Sequence, residues 1–279
     1  MSDLDRQASL PPALADGLAA GLATAGTTAI GARVLYFPVA SSTNDLASRA
    51  AEQGAPDGTL VIAGQQTAGR GRAGHSWFSP PGAGLYLSMV VDTGGAPTWV
   101  SALTLTAGVA IAESLHAASG LPVAIKWPND LVVAPSGAVR GARKLAGILA
   151  EARSDGAALT HVIVGVGVNV RATPWPPEIS ARATSLEEEL GRPVDAGAVL
   201  GALAARLGTW LERLRAGEAA LVRARWQKLS VGATGAAVSV PGPGGATRGL
   251  TAGLDADGAL LVRSGTATTR VVAGEVTWL

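Results

Sequence analysis

The chain has no cysteine and only three histidines, His75, His116 and His161. The first absence excludes a disulfide framework, thiolate metal sites and cysteine nucleophiles. The second leaves a histidine-built metal centre or a Ser-His-Asp triad poorly supplied. Charge is scarce too: 15% of the 279 residues are charged and the formal net charge is +1, so no overall field draws the protein to nucleic acid or to an acidic membrane. The first thirty residues open with Asp3 and Asp5 and carry Pro11 and Pro12, unlike a basic-then-apolar signal peptide. The uncharged run after Asp16 is too short and too rich in Gly and Thr to span a bilayer. That leader is also too short for a three-helix DNA-reading module ahead of the first strand. A cytoplasmic protein with one main core is expected, acting without DNA or membrane, and positive charge matters only locally.

What is present is organised around Gln66-Thr67-Ala68-Gly69-Arg70-Gly71-Arg72-Ala73-Gly74-His75-Ser76-Trp77. Closely spaced glycines let the main chain close tightly around a ligand. Arg70 and Arg72 offer planar guanidinium forks for carboxylate or phosphate oxygens, and Trp77 offers a ring face for stacking. Arg-Gly stretches also occur in disordered nucleic-acid-binding tails, but this one runs straight into the strand-like Leu85-Tyr86-Leu87-Ser88-Met89-Val90-Val91 and so lies inside a folded domain.

Along the chain, Arg33 to Phe37 reads as a strand, and Ser41-Ser42-Thr43-Asn44-Asp45 supplies N-cap chemistry for a helix over Leu46 to Gln53. Ser42 and Thr43 either cap that helix or hydrogen-bond a ligand at the turn. Thr59 to Ala63 is the next strand, and Thr98 to Ala118 a buried helix. Val123 to Val133 reads as strand, turn, strand. Lys126, in an otherwise apolar strand, is costly to bury unless an anion meets it; facing water or pairing with Asp130 is the plain alternative. Lys144 to Glu151 and His161 to Val170 read as paired strands. In the second, Val164, Val166, Val168 and Val170 share one face, and Gly165, Gly167 and Asn169 the other, a bare face suited to a ligand. Arg171 to Leu190 is a long loop with a short helical piece, and Asp195 to Arg215 and Gly217 to Leu229 carry helical spacing. From Val231 onward, short β-like segments alternate with Gly and Pro turns, as in a small barrel.

Taken together, Ser42-Thr43-Asn44, the 66–77 run, Lys126-Trp127-Pro128-Asn129-Asp130, Lys144-Leu145-Ala146-Gly147-Ile148-Leu149, Gly165-Val166-Gly167-Val168-Asn169 and Gly274-Glu275-Val276 resemble, in order and spacing, the bacterial biotin protein ligases, from about residue 33 to the C-terminus. The resemblance implies an α/β (α+β) fold. A mixed, largely antiparallel sheet flanked by helices, the biotin/lipoate ligase catalytic fold, would cover 31–230, and an SH3-like β-barrel 231–279, with 1–30 a leader. It implies formation of biotinyl-5′-AMP from biotin and Mg²⁺-ATP, then transfer to a lysine of a biotin carboxyl carrier domain of an acyl-CoA or pyruvate carboxylase, by a monomer or weak homodimer of the ligase-only form.

By the same resemblance Lys126, Arg70 and Arg72 are the catalytic charges. Ser42, Thr43, Asn44, Gln66, Gly69, Arg70, Arg72, Lys126, Gly147, Gly165 and Gly167 bind biotin, with Ser42, Thr43 and Gln66 on its ureido ring. Arg72, Trp77, Lys126, Asn129, Asp130 and Asn169 bind the adenylate, with Trp77 stacked on adenine and the Ala183–Leu186 loop closing over it. No residue is assigned as a direct metal ligand; Mg²⁺ arrives with ATP near Asn129 or Asp130. Ala73 and His75 stand where many relatives carry further arginines, which lowers the local charge that retains the adenylate. A lipoate or octanoyl ligase on the same fold, or a non-catalytic biotin-responsive binding protein, are the other readings.

Overall fold

Alternation in the segment ending at Asn169 sets the centre of the fold, because it gives one strand an apolar face and a bare one. The structure, a computed structural model, describes residues 3–26, 30–95, 98–134, 137–155, 158–241, 245–272 and 276–279. Among the described residues, β1 (Val34–Phe37), β2 (Leu60–Ala63), β3 (Gly84–Asp92), β4 (Ala124–Lys126), β5 (Asp130–Val133), β6 (Arg143–Asp155) and β7 (Ala158–Asn169) form one sheet in the order β1-β2-β3-β7-β6-β5-β4. β1 and β2 run parallel and the other neighbours antiparallel, the mixed, largely antiparallel sheet expected. The helices are α1 (Pro12–Ala25), α2 (Thr43–Glu52), α3 (Leu103–Ser119), α4 (Pro177–Ser180), α5 (Leu186–Leu190), α6 (Ala196–Arg215) and α7 (Ala219–Leu229).

Each face of β7 has its own cover. Val164, Val166, Val168 and Val170 are buried in the main core with α3 and α6. Met89 and Val164 of the sheet meet Leu103 and Ala107 of α3 and Leu207 and Leu211 of α6 there. Thr98–Ser119 is apolar enough for a bilayer by length and composition, yet 67% of that window is buried in the fold, so it serves as the core helix expected. On the opposite face, Leu46, Ala47 and Ala50 of α2 cover Val61, Val90 and Ile163. Along the same face the start of α2 reaches Gly165 through Asn44, while Gly167, and Gly147 beside it, lie under Trp77, and there the site lies.

Residues 1–30, expected as a leader, contain α1 docked on α6. A Cβ on Gly17 would come within 2.2 Å of the Gly197 backbone, and one on Gly21 within 2.3 Å of the Gly201 backbone, so two Gly-x-x-x-Gly pairs bring the helices into main-chain contact. The chain then forms a second, five-stranded antiparallel sheet consistent with the SH3-like barrel: β8 (Thr234–Val240), β9 (Thr247–Leu254), β10 (Leu260–Ser264), β11 (Ala267–Val271) and β12 (Thr277–Trp278), in the order β11-β10-β9-β8-β12. Within β9, Gly249 and Gly253 interrupt the apolar pattern. Of Gly274-Glu275-Val276, the first two lie outside the described residues.

Candidate active site

The bare patch is built by strand register. Gly167 of β7 sits between Gly147 of β6 and Tyr86 of β3, and Gly165 between Leu149 and Ser88. Gly147, Gly165 and Gly167 thus leave a shallow floor, bounded by the start of α2, the Gly-Arg loop and the β4–β5 turn.

At the α2 end the floor is walled by polar groups. Asn44, at the second position of α2, covers Gly165, where a Cβ would lie 2.2 Å from Asn44 Oδ1. Its Oδ1 accepts from Ser88 Oγ (2.6 Å), and its Nδ2 donates to Glu151 Oε2 (2.6 Å) and the Leu149 carbonyl (3.3 Å). Gln66 Oε1 accepts from the Thr43 N–H (2.8 Å) and Thr43 Oγ1 (3.1 Å), while Gln66 Nε2 donates to Ser79 Oγ (3.0 Å). Of the two alternatives left open for Ser42 and Thr43, capping by Ser42 does not occur: Ser42 is buried but its side chain makes no cap hydrogen bond, and Gln66 takes up a first-turn amide of α2 instead. Gly69 passes so close that a Cβ there would be 2.7 Å from the Trp77 carbonyl and 3.0 Å from Gln66 Nε2.

The loop itself is a small hairpin. Trp77 N–H donates to the Gly69 carbonyl (2.9 Å) and Gly71 N–H to the His75 carbonyl (2.7 Å), around a tip at Arg72–Gly74 where Ala73 adopts a left-handed φ of 52°. An alanine in that region is under mild strain. Arg70 anchors the hairpin. It forms a bidentate pair with Asp45 at the start of α2 (2.7 Å for each bond) and reaches Glu151 Oε2 at 3.2 Å. Hydrogen bonding from Arg70 holds the Asp45 carboxyl below the usual carboxylate range, and the partnership with Asp45 raises the guanidinium further. Arg72 instead approaches Asn129, Nη1 to Oδ1 at 3.4 Å.

The hairpin's last residue fills the floor. A Cβ on Gly167 would be 2.4 Å from Trp77 Cε2, and one on Gly147 2.9 Å from Cζ3, so the indole occupies the space that both glycines leave. Its buried N–H has no hydrogen-bond partner, an arrangement that costs about 1–3 kcal/mol. Lys144 Nζ lies 5.3 Å from the ring centroid and pairs with Asp130 Oδ1 at 2.5 Å. Lys126 is paired with Asp130 in strand register but forms no ion pair of its own among the described residues. Burial lowers its pKa most, Asp130 opposes that, and Lys144 and Arg182 add to the lowering.

Asn129 Nδ2 donates to the Ile148 carbonyl (2.8 Å). Asn169 donates to the carbonyls of Thr184 (2.9 Å) and Lys144 (3.4 Å), tying β7 to the 183–186 segment, whose Thr184 N–H returns to the Lys144 carbonyl (3.0 Å). The structure brings Thr43, Asn44, Gln66, Gly69, Trp77, Gly147, Gly165 and Gly167 together, with Arg70 and Asn169 engaged as ties, while Lys126 adjoins them through its register with Asp130, which pairs in turn with Gly147. Sequence reasoning assigned no role to Lys144, Ser88, Ser79 or Glu151, and read Asp45 only as N-cap chemistry. For Lys144 a signal existed: the chain has three lysines, Lys126, Lys144 and Lys228, and two of them flank Asp130. Where arginine supplies nearly all the positive charge, a compact ammonium marks a site with its own geometry.

Residues 36–169 match the model of the biotin/lipoate A/B protein ligase family. The biotin–[acetyl-CoA-carboxylase] ligase of Mycobacterium tuberculosis is 38% identical over 252 residues, 85% of this chain and 86% of that protein. The chain belongs to the biotin protein ligase family. The solved biotin protein ligase from Aquifex aeolicus, in complex with biotin and ATP, superposes with a TM-score of 0.74 at 27% identity over 89% of this chain and 99% of that one. The bifunctional ligase/repressor of Bacillus subtilis is 36% identical over 176 residues, 62% of this chain, and the match spans about half of that relative's length, 52%. Within the ligase family fold, the Gly-faced strand and the Gly-Arg hairpin are the parts that meet at the floor.

Proposed function

We propose that this chain is an ATP-dependent biotin protein ligase. The observation that carries this reading is the polarity of the site: hydroxyl and amide groups at one end of a glycine floor, unpaired or exchangeable ammonium charge at the other. A guest with a hydrogen-bonding head, an apolar body and an anionic tail suits it, and biotin's ureido ring, thiophane and valerate carboxylate follow that order. Ser42, Thr43, Asn44 and Gln66 face the ureido group, Gly147, Gly165 and Gly167 the apolar body, and Gly69 gives the hairpin its close approach.

Two anions must meet in the first half-reaction. A biotin carboxylate oxygen attacks the α-phosphorus of ATP, the bond to the β-phosphate breaks, and pyrophosphate leaves. Fixed positive charge is the main catalytic need. Lys144, nearest the floor, holds the carboxylate; Lys126 and Arg72 face the phosphates; Trp77, once off the floor, stacks on the adenine that Asn169 approaches. Arg70 acts by anchoring the hairpin, which closes and excludes water from the mixed anhydride. In the second half-reaction the ε-amine of a carrier-domain lysine attacks the acyl carbon, loses a proton and releases AMP, so no nucleophile is required of this chain.

Mg²⁺ enters on ATP and neutralises triphosphate charge. The site's donors fit that arrangement: Asp130 is held by Lys144 and Asn129 Oδ1 by Arg72, so Asp130 and Asn129 would face a substrate-borne ion and do not form a preformed cage. Relatives named as biotin–[acetyl-CoA-carboxylase] ligases support a biotin carboxyl carrier domain as acceptor. The chain divides into a catalytic unit over 31–230, with α1 docked on it, and a C-terminal unit over 231–279. Biotin-dependent exchange of labelled pyrophosphate into ATP, with Mg²⁺ and no carrier protein, tests the first half-reaction. Selective exchange with biotin is expected; exchange with lipoate alone would reassign the substrate, and none with either acid would refute adenylation.

A further inference from the structure

Lys126 sits where the two sheets meet, and both of its chain neighbours are bonded across that boundary. The Ile125 carbonyl accepts from Val231 N–H at 2.9 Å, and Trp127 Nε1 donates to the Gly258 carbonyl at 3.3 Å, just before β10. The ammonium of Lys126 in turn lies 5.8 Å from the ring centroid of Trp278 in β12. Trp278 is placed by its own sheet: it pairs with Val238 of β8, and Leu279 N–H donates to the Ala237 carbonyl at 3.0 Å. The fit behind the ring is close, since a Cβ on Gly232 would be 2.6 Å from Trp278 Cζ3. That glycine has a φ of +80°, so both its conformation and its missing side chain make room for the indole.

The charges nearest Lys126 leave the ring a task. Asp130 on β5 is the opposite charge beside it, but that carboxylate is held by Lys144 of β6 at 2.5 Å. Lys144 and Arg182, from the segment ahead of α5, both repel it. A half-buried ammonium without an ion pair is stabilised by the negative face of an indole. We propose that Trp278 is the positioning residue for Lys126, holding its ammonium toward the phosphates so that the C-terminal sheet takes part in adenylation. The catalytic consequence rests on the ligase reading above; the contact between the two residues does not.

Two substitutions separate the ring from mere bulk. Trp278→Leu keeps apolar cover over Lys126 but removes the quadrupole, whereas Trp278→Phe keeps a ring. With only three lysines in the chain, side-chain resonances of ¹³C-lysine-labelled protein can be titrated individually, Lys126 being assigned by its loss in Lys126→Arg. Losing the ring disfavours the charged form, so Lys126 in Trp278→Leu should titrate lower than in the wild type by roughly 0.5 pH unit, from a cation–π interaction at a partly exposed site. Trp278→Phe should stay near the wild type. In pyrophosphate exchange, the alkaline limb of Trp278→Leu should move down in parallel and its KM for ATP rise roughly two- to fivefold, with the KM for biotin unchanged. Identical Lys126 titrations in the Leu and Phe variants would overturn the positioning role, whatever the enzyme does. A shifted titration with no change in exchange would overturn the link to adenylation, and absence of biotin-dependent exchange in the wild type would refute the ligase reading alone.

Discussion

Gly165 and Gly167 lie two residues apart on one face of β7, yet alanine at each should have a different effect. At Gly165 the new methyl would meet Asn44 Oδ1 at 2.2 Å and Cγ at 3.0 Å. Asn44 cannot withdraw without breaking its bonds to Ser88, Glu151 and Leu149. Overpacking costs about 1–3 kcal/mol, and a buried polar group left unsatisfied about 1–3 kcal/mol. Gly165→Ala should therefore lose about 2–4 kcal/mol of stability, and at about 2–4 °C per kcal/mol for a chain of this size the melting temperature should fall by roughly 5–15 °C. At Gly167 the methyl would strike the Trp77 ring, 2.4 Å from Cε2. That ring belongs to a surface hairpin and leaves behind an unsatisfied N–H, so its departure should cost no more than about 1 kcal/mol. The same methyl then stands where biotin's apolar body must lie, and affinity should drop at least roughly tenfold. Urea denaturation and biotin calorimetry on both variants make the comparison. A stable Gly165→Ala protein, or a Gly167→Ala protein that binds biotin normally, would refute this account of the floor.

Lys144→Met should fold normally and lose pyrophosphate exchange by about a hundredfold or more, the scale expected when a fixed charge stabiliser is removed; retention of exchange would return the whole task to Lys126. The Asp45–Arg70 pair sets a pH dependence. Because the Asp45 carboxyl is held below its ordinary 3.8 in the folded state, its contribution is present above the unfolded pKa and is lost as pH falls through the folded one. Both side chains are about a third exposed, so Asp45→Asn should cost at most about 1 kcal/mol near neutrality and nothing once the wild-type carboxyl is protonated, as read from urea midpoints against pH. Biotin should also change tryptophan emission by moving the Trp77 indole off Gly147 and Gly167, and Trp77→Phe should abolish that signal while leaving binding measurable by calorimetry.

Local chemistry determined much of this protein in advance. The alternation of Val164 to Val170 specifies a strand with an apolar and a bare face, whatever surrounds it, because side chains one residue apart point to opposite sides. The apolar spacing from Asp195 to Arg215 specifies a helix in the same way, and Asp195 caps it by accepting from the Gly197 and Ala198 amides. The runs around Gly69, Lys126, Gly147 and Gly165 are likewise legible as ligand chemistry, since glycine spacing and isolated charge are properties of the chain itself.

Pairing between distant segments is not. That Arg70 spends its charge on Asp45 and Glu151 depends on α2 and β6 converging beside the hairpin. Lys144 shares Asp130 with Lys126 because β5 lies between β4 and β6. Trp77 rests on Gly147 and Gly167 because those glycines are brought into register from strands whose sequence neighbours give no hint of it. Glycine pairs that join α1 to α6 look like breaks in two helices until the opposing backbone is in place. The sequence by itself determined the strands, their faces and the kinds of group at the site. Only the tertiary structure decided which charges are free to meet a ligand, because a charge is free or engaged according to neighbours that arrive from elsewhere in the chain.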